Sequence, residues 1–379
     1  MKKNRAFFTH GLRTPFGRAQ KGAYAETRPD DLLVSLLTYQ KQNNPSLWST
    51  GAEDLLVGCA YPEGEQGYNV ARMASLGAGL NCPGVTINRL CASSLEAATV
   101  AAARIHAGWG NQFLVAGIES MTKIARGGAS RTNSDAITSA SPQAYITMGE
   151  TAEEVCARYP LITRARQQEF AARSHELADR AYQNNLYASQ IAPIKINKDE
   201  FIRFPVDKDK MNSLPPAFKE NGIVTAATSS PLTDGATSGW VLSDSAMKAH
   251  GISHALEILD VTWSHVAPEV MGLGPIPAIK ALLKNNNLSI KDIQAFELNE
   301  AFAVQVLACI DELNIATDTI NAWGGALALG HPLGASGLRL LSTLHDRLKF
   351  EHKEQSLGIA SLCVGGGQGM AVLCRYSSV

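Results

Sequence analysis

Short apolar runs alternate with amphipathic stretches over the first and last thirds of the chain, and the middle breaks that rhythm. In the first third, Arg5–Gly11, Asp54–Ala60, Val85–Leu90 and Gln112–Gly117 read as strands. Helical spacing lies between them at Asp30–Tyr39, Asn69–Gly79 and Ala92–Ala107, the first with acidic residues in its opening turn. In the last third, Ala255–Trp263, Ile293–Glu297, Leu357–Cys363 and Met370–Tyr376 read as strands, and Ile276–Lys284, Asn299–Leu313 and Leu333–Leu348 as helices. The Gly365–Gly369 cluster joins the last two strands into a hairpin.

From Glu119 to Pro231 polar and charged residues rise and the regular pattern is helical, at Thr151–Tyr159 and Arg164–Asn185. This stretch reads as an insertion or lid, and its ordered helical pattern argues against a disordered linker. Beyond it, Gly239–Ser243 supplies a last strand for the first unit. Both outer thirds then read as the order βαβαβαββ, with the third strand of the second unit left unassigned between its last two helices. The pattern predicts an α/β protein with a duplicated domain and a parallel-rich sheet covered by helices on both faces. The predicted units are 1–118 with 232–253, an inserted 119–231, and 254–379.

Bulk properties narrow the class without choosing a chemistry. The 379 residues carry 45% hydrophobic and 18% charged residues and a net charge of −1. That composition fits an ordinary globular protein and gives no electrostatic case for nucleic acid or an anionic membrane. No apolar run approaches the roughly 20 residues of a membrane span. The N-terminus lacks the apolar core of a signal peptide, so the cytoplasm is the expected location. The seven cysteines show neither Cys-x-x-Cys nor zinc-ligand spacing. Cys59, Cys309 and Cys374 sit in apolar runs and read as core.

Three residues stand apart from that background. Cys91 lies where a strand gives way to a helix, a place where the helix dipole and unpaired N–H groups favour a thiolate. Ser93 and Ser94 beside it read as helix caps. His331 sits in Gly330-His-Pro-Leu-Gly-Ala-Ser-Gly337, on a loop that lets a base approach a ligand. Cys363 enters Gly365-Gly-Gly-Gln-Gly369, whose N–H groups suit an oxyanion. Singly, each also reads as a buried cysteine, a surface loop histidine or a plain hairpin turn. Asn299 after an apolar run reads either as an N-cap or as an amide that positions a water or an oxyanion.

Together, Cys91-Ala-Ser-Ser94, Asn299-Glu-Ala-Phe-Ala303, Gly330-His-Pro-Leu-Gly-Ala-Ser-Gly337 and Cys363-Val-Gly-Gly-Gly-Gln-Gly369 resemble the thiolase family. Arg13-Thr-Pro-Phe-Gly17 and Val224–Ala236 extend the resemblance along the chain. Glu65–Arg72 and Asn88–Ser94 are closer to degradative 3-ketoacyl-CoA thiolases than to biosynthetic acetoacetyl-CoA enzymes. The resemblance implies a five-layered α-β-α-β-α fold with a loop domain that holds coenzyme A, and a role in fatty acid β-oxidation. Cys91 is then the acyl-carrying nucleophile, His331 the base that takes its proton, and Cys363 the acid that protonates the leaving carbanion. His331 with a water on Asn299 forms one oxyanion hole, and the N–H groups of Cys91 and Gly365 the other. Arg203 lies at the adenine end of the coenzyme, while Met148, Phe218, Ser230 and Phe302 line its pantetheine tunnel. No cofactor is implied, since coenzyme A is a substrate. A homodimer or homotetramer is expected, and a degradative member also leaves room for a hydratase/dehydrogenase partner subunit. A biosynthetic acetyl-CoA C-acetyltransferase, a carrier-protein ketosynthase and a non-catalytic lipid carrier are the alternatives. Departures from the family pattern fall at Ser94, Glu96, Thr147 and Pro215, away from the catalytic positions.

Overall fold

The structure is a computed structural model that describes residues 4–125, 127–128 and 132–379. The first three residues of the first predicted unit and four residues of the insertion, 126 and 129–131, lie outside the described residues.

Nine strands of four or more residues form the framework among the described residues. They are β1 (Ala6–Arg13), β2 (Leu55–Gly58), β3 (Gly84–Ile87), β4 (Gln112–Ser120), β5 (Thr233–Ser243), β6 (His254–His265), β7 (Ala295–Leu298), β8 (Leu357–Val364) and β9 (Gln368–Ser378). Eight helices of at least eight residues accompany them: α1 (Pro29–Asn43), α2 (Val70–Gly77), α3 (Ser93–His106), α4 (Met148–Arg158), α5 (Arg164–Gln183), α6 (Pro275–Asn285), α7 (Ala303–Leu313) and α8 (Ser336–Glu351).

The strands follow the order β3-β2-β4-β5-β1-β6-β9-β8-β7. Counted within its own half, each side repeats one order. The third strand of the second copy is reduced to an isolated parallel bridge between Phe296 and Ile320. The halves meet where β1 pairs with β6 at Phe7–Glu257 and Phe8–Leu256. The expectation of a parallel-rich sheet is corrected. Only β2/β3, β2/β4 and β7/β8 are parallel. The pairs nearest the junction are antiparallel, because β5 and β9 each return beside the first strand of their half.

Helices fill the layers between and outside these strands. α1 and α2 cover the outer face of the first half, and α6 and α7 lie on the outside of the second. α3 and α8 pack on each other in the middle, and α8 touches β1, β4 and β5 on one side and β7 and β8 on the other. β4 and β5 are buried along their whole length, which explains their run of small and apolar residues. Gly337 makes the central contact: a Cβ there would lie 2.3 Å from the backbone nitrogen of Leu95 in α3. Only glycine lets the two helices approach that closely.

The inserted segment is seated on the body. Its α4 and α5 pack on α7, helped by a two-pronged Arg166–Asp311 pair and a Ser174 Oγ to Glu300 hydrogen bond of 2.7 Å. On the other side, fully buried Arg13 of β1 grips Asp199 through two bonds of 2.7 and 2.9 Å. α4 begins three residues before its predicted start, at a Thr147/Glu150 capping box. No helix among the described residues is long and apolar enough to cross a membrane.

Candidate active site

Three elements converge at one end of the central helix layer. Cys91 occupies a 3-10 turn, Leu90–Ala92, that runs directly into α3. Leu90 holds φ at +45°, a left-handed conformation that is costly for leucine. The predicted caps act differently from expectation. Ser93 Oγ accepts from the Arg89 N–H and donates to the Leu90 carbonyl, so it braces the turn. Ser94 Oγ accepts from the Leu338 N–H across the layer, and neither serine caps α3.

The loop with His331 ends in a matching feature, a 3-10 turn at Leu333–Ala335 that runs into α8. The two turns touch, and the first also meets the end of β8. Nucleophile and base candidates therefore sit on counterpart segments of the two copies, Cys91 within its turn and His331 two residues ahead of the other, each turn leading into a helix that opens with serine. Gly330 takes φ of +104°, which turns the loop so that the 4% exposed His331 faces inward. The His331 N–H donates to Thr233 Oγ1 at 3.0 Å.

Asn299 is fully buried and is not an N-cap. α7 starts only at Ala303, after the extended Phe302, and the Asn299 N–H donates to the Ser361 carbonyl at 2.9 Å. Its side chain is thereby released toward His331, with the amide nitrogen 3.3 Å from Nε2 and 3.4 Å from Nδ1. Cys363 is the penultimate residue of β8 and is almost wholly buried. Burial first, then the neighbouring Cys91 and Cys309, pushes its thiol well above the usual cysteine range. Such a thiol holds its proton at neutral pH and fits a proton donor better than a resting thiolate.

Gly365 follows at the start of the hairpin turn. A Cβ there would meet Leu90 Cδ1 at 2.9 Å and Met148 Sδ at 3.9 Å, which places both side chains against it. The Phe218 and Phe302 rings lie edge to face with centroids 5.9 Å apart, and Phe218 also packs against Gly149. Ser230 donates its N–H to the Ala301 carbonyl at 2.9 Å, beside Phe302. A cavity of about 620 Å³ opens next to this row, lined by Arg18, Arg203, Lys210, Ser229 and Pro231 among others. Arg203 is exposed at this cavity, and its backbone N–H donates to buried His175. Burial and then Arg203 lower the His175 pKa to about 4. Of the residues singled out in the sequence, Arg203 lines this cavity, and Ser230 lies between two of its lining residues, Ser229 and Pro231.

Sequence reasoning missed the supports behind these groups. Ser336 Oγ lies 2.6 Å from His331 Nδ1, and Arg339 Nη2 donates to Asn299 Oδ1 at 3.3 Å. Glu119 accepts N–H bonds from Ala60 and Gly334, both of 2.8 Å. A signal for Arg339 did exist in the sequence: with Arg347 it recurs after eight residues on the buried face of a leucine-rich helix.

Residues 7–245 match the family model for the thiolase N-terminal domain, and residues 253–376 that for the thiolase C-terminal domain. The chain belongs to the thiolase family. A 3-ketoacyl-CoA thiolase of Saccharophagus degradans is 40% identical over 377 residues, covering 95% of each chain. One of Bacillus subtilis is 36% identical over 387 residues, covering 97% of this chain and 98% of its own. Among solved structures, the Bacillus anthracis acetyl-CoA acetyltransferase superposes with a TM-score of 0.89 at 32% identity, covering 99% of both chains. The dimeric peroxisomal thiolase of Saccharomyces cerevisiae gives 0.88 at 32% identity, covering 98% of this chain and 97% of its own. The layered α-β-α-β-α architecture of this thiolase is that of its solved relatives.

Proposed function

We propose that this thiolase is a 3-ketoacyl-CoA thiolase that cleaves its substrate to acetyl-CoA and a shortened acyl-CoA through an acyl-Cys91 intermediate. The observation that carries the reading is the meeting of the Cys91 turn, the His331 loop and the end of β8 beside a basic-mouthed cavity. The curated relatives named 3-ketoacyl-CoA thiolase favour the degradative assignment.

The chemistry follows from the groups in place. His331 takes the Cys91 proton, and the thiolate attacks the 3-keto carbon. The N–H groups of Cys91 and Gly365 receive the oxyanion of that addition. The C2–C3 bond then breaks and its electron pair moves onto the acetyl-CoA fragment. The resulting enolate oxygen is held by His331 and a water on Asn299. Cys363 delivers its proton to C2, and acetyl-CoA leaves. A second coenzyme A attacks the acyl-Cys91 carbonyl and gives its proton to the Cys363 thiolate. The S–acyl bond breaks, Cys91 leaves as the thiolate and takes back the proton held on His331, and the shortened acyl-CoA is released. Losing one oxyanion-hole donor costs about 100- to 1000-fold in kcat. The steps use side chains, backbone N–H groups and the water on Asn299, with coenzyme A as a substrate.

Arg18, Arg203 and Lys210 give the cavity mouth the charge to meet the coenzyme's phosphates. Met148, Phe218, Ser230 and Phe302 border the route inward for the pantetheine arm. A homodimer is the assembly, consistent with the dimeric yeast relative and with β3, a half-buried edge strand. The cytoplasm is the proposed location.

Intact-protein mass after mixing with acetyl-CoA tests the reading, with Cys91→Ala alongside. An acetyl adduct on the native chain that is absent from the variant and discharged by free coenzyme A supports it. Absence of any adduct sinks it in favour of a carrier. Thiolysis rates on acetoacetyl-CoA against a long-chain 3-ketoacyl-CoA separate the degradative enzyme from a short-chain acetyltransferase.

A further inference from the structure

Two polar side chains stand behind the His331/Asn299 pair without a place in the steps above. Ser336 Oγ lies 2.6 Å from His331 Nδ1 and also donates its hydrogen to the Pro332 carbonyl at 2.9 Å. A serine hydroxyl has one hydrogen to give. With that hydrogen committed to Pro332, Oγ faces Nδ1 as an acceptor, so Nδ1 carries the imidazole proton and Nε2 is the unprotonated nitrogen. The Asn299 amide, at 3.3 and 3.4 Å from the two ring nitrogens, does not choose between tautomers; the serine does.

The amide itself is set by Arg339. A guanidinium only donates, so the oxygen of Asn299 turns toward Nη2 at 3.3 Å and its nitrogen toward His331. Arg339 is in turn held by Glu297, which also binds Arg347 at 2.9 Å, and all three side chains are buried. Neither amide orientation nor tautomer is then left to exchange with water.

We infer that Ser336 and Arg339 are positioning residues, Ser336 fixing His331 as the Nδ1–H tautomer with Nε2 ready to accept a proton, and Arg339 aiming the Asn299 N–H at the site. The catalytic consequence rests on the proposed thiolase chemistry; the tautomer itself does not. In a serine-protease triad a wrong histidine tautomer costs about 10,000-fold in kcat. Removing Ser336 releases the tautomer without inverting it, so the loss is smaller.

The test is nitrogen NMR on the full chain with labelled histidine, His331→Asn assigning the signal among the nine histidines. The expected native result is a protonated Nδ1 and an unprotonated Nε2. Ser336→Ala then mixes the tautomers and lowers kcat about 10- to 100-fold, at or below the lower end of what general-base catalysis contributes, while KM stays within about twofold. Ser336→Thr, which keeps the hydroxyl, restores the native tautomer. A native His331 protonated on Nε2 overturns the inference, as does Ser336→Ala with tautomer and kcat unchanged. Because the NMR signal needs no turnover, an inactive protein with the Nδ1–H tautomer refutes the proposed function alone. For Arg339, Arg339→Lys keeps the charge but loses the fork. Exchange of the C2 hydrogens of acetyl-CoA with solvent should fall about tenfold, below the 100- to 1000-fold of a lost oxyanion donor, with Cys91 acylation retained. An equal fall in both, or in neither, overturns the part given to Arg339.

Discussion

Glu119, at the end of β4, accepts a 2.8 Å hydrogen bond from the Gly334 N–H and so ties the sheet to the loop that carries His331. The same oxygen takes the Ala60 N–H, and Gln66 Nε2 bonds the other at 2.5 Å. Burial outweighs these three donors and raises the Glu119 pKa from 4.5 to about 7. The native state therefore binds this proton more tightly than the unfolded chain does. The associated stability is fully present below pH 4.5 and is lost as pH rises through 7, about 3 kcal/mol in all. From about pH 5 to about pH 8 the urea midpoint of the native chain should fall relative to that of Glu119→Gln, while buried His175, held neutral by its lowered pKa, contributes a slope of the opposite sign to both. A variant with the native slope would remove Glu119 as its source.

Gly337→Ala sets helix propensity against packing. Alanine gains about 1 kcal/mol in a helix interior. Its Cβ, however, would meet Leu95 backbone and side-chain atoms at 2.3 to 2.8 Å, and the backbone cannot rotate away. Overpacking of this kind costs about 1–3 kcal/mol. The expected outcome is a net loss of up to about 2 kcal/mol in chemical denaturation, together with reduced kcat because both active-site turns ride on these helices. A stabilised variant would show that α3 and α8 separate freely.

Arg13→Met removes one partner of a pair in which neither side chain is exposed. Asp199 would be left accepting only from the Phe16 N–H and the Tyr182 hydroxyl. An uncompensated buried charge costs about 3–5 kcal/mol. Differential scanning calorimetry should show that loss, and a change under about 1 kcal/mol would indicate that water reaches Asp199.

Cys363→Ala separates the two thiols. Cys91 should still become acetylated by acetyl-CoA, more slowly because Cys363 no longer protonates the departing coenzyme A, as seen in the intact mass over time, while exchange of the acetyl C2 hydrogens with solvent stops. Loss of acylation together with exchange would place Cys363 in activating Cys91 instead.

Arg203→Ala should raise KM for coenzyme A several-fold with little change in kcat, since the side chain lines the cavity mouth rather than the reacting end. Steady-state kinetics at low and high salt check this. The native KM should rise with salt, and the variant's less steeply. A fall in kcat with unchanged KM would move Arg203 out of the coenzyme's path.

The sequence was most legible where one rule governed a segment. Apolar periodicity located the strands and helices of both outer thirds, usually to within a few residues, because each buries one coherent face. The motif residues from Cys91 to Gly365 were legible because glycine and proline punctuate the turns that carry them. Asn299 was only half legible. As an N-cap candidate it looked local, whereas its role depends on β8 and His331, distant in sequence. Ser336, Arg339 and Glu119 were not read at all, since a buried polar residue reveals its partner only after the chain folds. Strand direction failed for a similar reason: β5 and β9 run antiparallel to their neighbours through long-range pairing that no local pattern encodes.

The kinship of the Cys91 and His331 turns has a consequence for how activity is lost. Each turn is mounted on one of two helices that face each other through Gly337 and Leu95. A nucleophile on one copy and a base on the other cannot be inherited separately: either repeat alone carries half a reaction. Thermal inactivation should accordingly be all-or-none, coinciding with melting of that helix pair rather than trailing or preceding it.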